Sequence, residues 1–277
     1  MARAPKILVF DSGLGGLTVY AEIARLRPDA EYVYAADEAG FPYGALPESA
    51  LAPRVVDVVG RMIELFSPDI VVVACNTAST LALADLRAAF PGAPFVGTVP
   101  AIKPAAAHSR SRMISVLATP GTVARDYTRA LIESYAGDCK VTLVGARGLA
   151  RLAEDFMQGA GAPDADVLAE IAPAFVEEDG RRTDCIALGC THYPLLLGEF
   201  ERLAPWPVEW IDPAPAIARR ADHVLTRELG LPPSAARPAR PLAVFTGERE
   251  PKDALAAALR RRGFGAIRLE PMPLVFA

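Results

Sequence analysis

Two cysteines stand in matching settings. Cys75 follows Ile70-Val71-Val72-Val73-Ala74 and precedes Asn76-Thr77-Ala78-Ser79, and Cys190 follows Ile186-Ala187-Leu188-Gly189 and precedes Thr191-His192-Tyr193-Pro194. Each pattern sets a thiol where an apolar strand ends, just before a helix. Only the thiolate is a strong base or nucleophile, and a free cysteine of pKa ~8.5 is a few per cent ionised at neutral pH. Lowering that value to about 7 requires ~2 kcal/mol. A helix N-terminus supplies ~0.3–1 kcal/mol, and up to ~2 in a partly buried site. Hydrogen-bond donors such as Asn76, Thr77, Thr191 or a positioned His192 then have to complete the shift. The competing reading is a pair of buried cysteines acting as small hydrophobes. Cys139, after Gly137-Asp138, and Cys185, at a strand start, lack this setting and read as structural.

Other positions offer weaker chemistry. Asp11-Ser12-Gly13-Leu14-Gly15-Gly16 is a tight strand-to-helix turn. It fails the dinucleotide pattern G-x-G-x-x-G, because Thr18 stands where the third glycine belongs. Its backbone N–H groups could still hold a carboxylate. Asp11 is either the helix N-cap or a group that holds an ammonium or assists proton transfer. No P-loop pattern occurs. The lysines are Lys6, Lys103, Lys140 and Lys252, none beside a glycine-rich phosphate cup, so pyridoxal chemistry is not expected. No C-x-x-C pair occurs and there are 3 histidines, so no metal site is expected.

The elements that must position these groups alternate along the chain. Apolar runs at Ile7–Phe10, Tyr32–Ala35, Ile70–Ala74, Pro94–Val96, Met113–Ala118, Val141–Val144, Asp184–Leu188, Val208–Ile211, Leu242–Phe245 and Ile267–Leu269 predict strands. Helical spacing predicts helices between them, including Val55–Phe66, Ser79–Phe90, Val123–Tyr135, Leu195–Leu203 and Ala214–Leu229. Such alternation gives βαβ units and mostly parallel sheets covered by helices. A strand running into a small polar turn recurs at residues 9–13, 73–77, 117–122 and 188–192. Ligands of open parallel sheets bind beyond the carboxyl ends of the strands. The expectation is therefore two similar α/β domains, with the active site in the cleft between them. Prolines at 91, 94, 100 and 104 mark the crossing, and Pro205–Pro207 with Pro213–Pro215 the return. The expected domains are 1–97 plus 208–277, and 98–207. The Ala/Pro/Arg-rich stretch at 232–241 reads as a loop or linker.

Size and charge set the outer bounds. The chain has 277 residues, 52% of them apolar or aromatic and 22% charged, enough to bury a large core. A net charge of −4 argues against nucleic acid as the main partner, since phosphate backbones are bound by clustered Lys and Arg. The apolar runs are far shorter than the ~20 residues of a membrane span. Without a signal-peptide pattern at the N-terminus, the expected location is the cytosol.

Five segments in this order resemble glutamate racemases: Asp11-Ser12-Gly13, Pro42-Tyr43-Gly44, Val73-Ala74-Cys75-Asn76-Thr77-Ala78-Ser79, Leu117-Ala118-Thr119-Pro120-Gly121-Thr122 and Leu188-Gly189-Cys190-Thr191-His192-Tyr193-Pro194. The resemblance covers about residues 6–230. It implies cofactor-independent inversion at Cα of glutamate by two cysteines on opposite faces of the substrate. Cys75 would act on D-glutamate and Cys190 on L-glutamate. Asp11 and His192 match residues that assist the cysteines, and Glu154 matches a further carboxylate. Ser12, Tyr43, Gly44, Asn76, Thr77, Thr119, Thr122 and Thr191 match positions that hold the substrate, together with Asp11 and His192. Capping is the competing role for the three threonines at 119, 122 and 191, and packing on Pro42 for Tyr43. The resemblance further implies a homodimer, a bacterial cytosol, and a supply of D-glutamate for peptidoglycan. Aspartate or hydantoin racemisation is the alternative within the superfamily, and a low-activity binding protein the alternative outside catalysis. One departure stands out: the segment 36–44, Ala-Asp-Glu-Ala-Gly-Phe-Pro-Tyr-Gly, lacks the arginine that the family usually carries before Pro-Tyr-Gly.

Overall fold

Runs of Ile, Val, Leu and Ala with no polar alternation are buried on both faces, and such strands pair in parallel beneath helices. The computed structural model describes residues 3–236 and 238–274, so residue 237 of the 232–241 stretch lies outside the described residues. The strands, in chain order, are β1 (Lys6–Asp11), β2 (Glu31–Ala36), β3 (Ile70–Val73), β4 (Phe95–Val96), β5 (Met113–Ala118), β6 (Lys140–Gly145), β7 (Glu177–Glu178), β8 (Arg181–Arg182), β9 (Cys185–Gly189), β10 (Glu209–Ile211), β11 (Leu242–Phe245) and β12 (Ala266–Leu269). The α-helices are α1 (Leu17–Leu26), α2 (Glu48–Phe66), α3 (Asn76–Ala89), α4 (Ile102–His108), α5 (Pro120–Val123), α6 (Asp126–Tyr135), α7 (Leu149–Met157), α8 (Asp164–Ile171), α9 (Leu197–Leu203), α10 (Ala214–His223) and α11 (Asp253–Arg261).

The chain forms two units, Met1–Thr98 with Ala214–Ala277, and Val99–Pro213. Unit 1 holds a six-stranded sheet in the order β12-β11-β2-β1-β3-β4, every pair parallel. Unit 2 holds a four-stranded parallel sheet, β10-β9-β5-β6. The return to the first unit falls at residue 214 rather than the expected 208, because β10 pairs with β9 and extends the second sheet.

Other differences have local causes. β7 and β8 form an antiparallel hairpin around Asp179 and Gly180, both at positive φ, the geometry favoured by an Asp-Gly turn. Helix α4 lies where no helix is expected, Pro100 and Pro104 being read as marks of the crossing between domains. Pro104 is the third residue of the helix, where its missing N–H removes no intrahelical bond. Helix α2 starts at Glu48, seven residues before the expected Val55. The buried face of Leu51, Val55, Val58, Val59 and Met62 holds it despite Pro53 inside. The expected helix at Val123–Tyr135 is two helices, α5 and α6, separated at Ala124–Arg125. The helix from Ala214 passes at Val224–Glu228 into a π-helical stretch.

Candidate active site

Unit 1 gathers its polar groups at the carboxyl ends of three neighbouring strands. The Asp37 N–H donates to Asp11 O and the Ala74 N–H to Phe10 O, which aligns the ends of β2, β1 and β3. Cys75 then forms the N-cap of α3, so Asn76 and Thr77 are the first helical residues rather than part of a loop before the expected Ser79 start. The Cys75 thiol lies buried, 3.7 Å from Ser12 Oγ. Asp11 is fully buried and its Oδ2 accepts the Gly13 N–H at 3.2 Å. Gly16 is required below it: a Cβ there would meet Asp11 Cβ at 2.7 Å and Tyr34 Oη at 3.1 Å. The Tyr34 hydroxyl donates to Gly13 O and pins the same turn. The buried carboxamide of Asn76 has no hydrogen-bond partner among the described residues. An amide desolvated in this way costs ~1–3 kcal/mol, so the fold keeps a donor and an acceptor beside Cys75 at a penalty. Thr77 is buried next to it and Gly44 is exposed.

Unit 2 uses the equivalent ends of β6, β5 and β9. The Ala146 N–H donates to Ala118 O, and Ala118 is in register with Gly189. Cys190 follows at once, buried. Its Sγ lies 3.8 Å from His192 Nδ1, and His192 Nε2 lies 2.8 Å from Glu154 Oε1 on α7. Thr191 Oγ1 is 3.5 Å from the same Nδ1. Burial opposes charge on His192, but the hydrogen bonds to Cys190 and Glu154 outweigh it and hold the imidazole pKa well above its usual 6.5. An imidazolium ~4 Å from a thiolate is worth about 4 kcal/mol at an effective dielectric of ~20, before desolvation is subtracted.

The helix expected directly after Cys190 is a 3-10 turn at Tyr193–Leu196, with α9 beginning at Leu197. An α-helix end is therefore more distant here than at Cys75, and the polar neighbours of the thiol are His192 and, behind it, Glu154. Tyr193 is buried and held neutral, its pKa raised by desolvation. Thr119 N-caps α5, accepting the Thr122 N–H at 3.3 Å, and its Oγ1 lies 3.0 Å from Thr122 Oγ1. Thr122 is fully buried, and of the two threonines it is Thr119 that has the capping role. Tyr43 is also committed: its hydroxyl donates to Asp37 Oδ2 at 2.6 Å. Sequence reasoning passed over Asp37, although it stands directly after a strand end, and Arg54, which reaches it from α2. Among the described residues no group of three or more His, Cys, Asp or Glu is arranged to hold a metal.

Each parallel α/β unit thus carries, at its strand ends, a buried thiol beside hydrogen-bonding side chains. The chain matches the Asp/Glu/hydantoin racemase model over residues 15–221 and belongs to that family. It is 58% identical over 219 residues to the glutamate racemase of Brucella canis, covering 79% of each chain. It is 53% identical over 260 residues to that of Agrobacterium fabrum, covering 94% of this chain and 93% of the relative. Among solved structures, Escherichia coli glutamate racemase in complex with L-glutamate and activator UDP-MurNAc-ala aligns with a TM-score of 0.87 and 37% identity, over 97% of this chain and 98% of that one. No helix among the described residues is long and apolar enough to cross a membrane.

Proposed function

We propose that this protein interconverts L- and D-glutamate without a cofactor, using Cys75 and Cys190 as the two bases. In the L-to-D direction the Cys190 thiolate takes the α-proton. The electron pair left on Cα delocalises into the α-carboxylate, and the Cys75 thiol returns a proton to the opposite face. The sulfurs finish with exchanged protonation, and the D-to-L direction is the same step reversed. Asp11 and His192 assist proton movement at Cys75 and Cys190, and Glu154 holds His192. Asn76, Thr77 and Ser12 serve the substrate's carboxylates and ammonium in unit 1, and Thr191, Thr119 and Thr122 in unit 2. Tyr43 and Gly44 contribute through their backbone, because the tyrosine hydroxyl is already engaged.

The observation that carries this reading is the Cys190–His192–Glu154 line, in a member of a racemase family. The stranded Asn76 carboxamide supports it as a ready contact for a polar ligand. We further propose that the D-glutamate serves peptidoglycan synthesis in the cytosol and that the protein acts as a homodimer. Circular dichroism of L-glutamate with purified protein and no additive should decay to zero ellipticity. A persistent signal would defeat the proposal. Comparing kcat/KM for glutamate and aspartate decides the substrate, since one methylene is worth ~1–3 kcal/mol.

A further inference from the structure

Unit 1 contains a buried ion pair outside the groups so far assigned to proton transfer. Asp37, the residue after β2, is fully buried and takes four donors. Tyr43 Oη donates to Oδ2 at 2.6 Å, and Arg54 on α2 donates through Nε to Oδ2 at 2.9 Å and through Nη2 to Oδ1 at 2.6 Å. Thr246, just past β11, donates its hydroxyl to Oδ1 at 2.6 Å. The same hydroxyl accepts the Ala39 N–H at 3.2 Å, which ties down the 3-10 turn at Glu38–Gly40. Arg54 also donates to the carbonyls of Met272 and Pro273, so one guanidinium spans α2, the 37–43 segment and the C-terminal segment. Gly40 leaves no room for another side chain: a Cβ would meet Asp37 Oδ2 at 2.7 Å and Tyr43 Cε1 at 2.9 Å.

This cluster reaches the surroundings of Cys75. Tyr43 begins the 3-10 turn Tyr43–Ala45, which packs on α3, the helix that Cys75 caps. Tyr43 and Cys75 share one apolar cluster. Burial and Asp37 raise the Tyr43 pKa far above 10, with Cys75 adding to the effect, so the phenol stays a neutral donor. We infer that Asp37, Arg54 and Thr246 are positioning residues that fix the Pro42-Tyr43-Gly44 turn beside Cys75 for substrate. Unpaired, a buried carboxylate would pull in water and shift the turn. The inference rests on the racemase reading above.

A turn that holds substrate equally in ground and transition states shows its loss in KM and not in kcat. Thr246→Val removes one donor to a charged acceptor and should raise the KM for glutamate about tenfold, with kcat within about twofold. Arg54→Lys keeps the charge but loses the two-pronged contact and should raise KM further. Tyr32→Phe is the control: it removes a buried hydrogen bond to Arg27 O in the same unit and should lower Tm while leaving KM alone. If Arg54→Lys does not fold, Thr246→Val decides alone. Wild-type racemisation with unchanged KM in the Thr246 variant, as in the Tyr32 control, overturns the positioning role and leaves the racemase reading standing. Absence of racemisation in the wild type overturns both.

Discussion

The two thiols occupy equivalent places in their sheets and are treated differently by their surroundings. Cys75 caps a 14-residue α-helix and has Ser12 Oγ nearby, with a buried carboxylate at Asp11 on the neighbouring strand. Cys190 precedes only a 3-10 turn but faces an imidazole anchored to Glu154. One thiol sits at a helix end beside a hydroxyl, the other beside an imidazole whose own pKa is raised. The comparison teaches that similar topology does not dictate similar electrostatics. A partly buried helix end is worth up to ~2 kcal/mol to an anion, whereas beside Cys190 the polar partner is an imidazole anchored by a carboxylate.

The largest test removes each thiol in turn. Cys75→Ala and Cys190→Ala should each cut racemisation by at least ~10³-fold in the dichroism assay, as expected for loss of a general acid or base. Near-normal turnover by either variant would mean that one thiol suffices. Next, His192→Asn should lower kcat/KM by about 10²-fold. The equilibrium constant between enantiomers is unity, so this loss must be equal in both directions. The asymmetry should emerge instead in α-deuterium uptake from heavy water, slowed more for L- than for D-glutamate. Equal slowing would erase the contrast between the half-sites.

Asn76→Ala probes the helix-capped side. It should raise the KM for glutamate about tenfold while leaving Tm unchanged or higher, because a desolvated carboxamide costing ~1–3 kcal/mol is removed. A lower Tm with unaltered KM would make Asn76 a packing residue. The smallest effect is a pH signature of the other side. The raised pKa of His192 makes its contribution to stability complete below the unfolded value of ~6.5, and that contribution is lost as pH rises through the folded value. The Tm gap between wild type and His192→Asn should therefore be wider near pH 6 than near pH 9.

Much of this frame was legible in the sequence. Strands such as Ile70–Val73 and Met113–Ala118 are continuous apolar runs, and burial on both faces leaves no other use for them. The strand–polar-turn repeat located Asp11, Cys75, Thr119 and Cys190 at carboxyl ends. Contacts between distant positions were not legible from spacing. His192 and Glu154 are 38 residues apart, and their pairing depends on how α7 packs beside the second sheet. Arg54 lies in the first turns of α2, where Pro53 hid the helix, so its link to Asp37 left no periodic trace. The hairpin at Glu177–Arg182 did carry a signal, Asp179-Gly180, that went unread between two charged pairs.

The order of strands in the first sheet has a consequence for biosynthesis. β2 lies between β1 and β11, and β11 comes from the far end of the chain. Until the ribosome releases residues 242–245, the apolar ribbon Glu31–Ala36 has one unsatisfied border, open to pairing with another nascent chain. The contiguous unit, residues 99–213, has no such wait and can mature first. A premature stop before β11 would thus create a sticky intermediate rather than a slightly shorter enzyme.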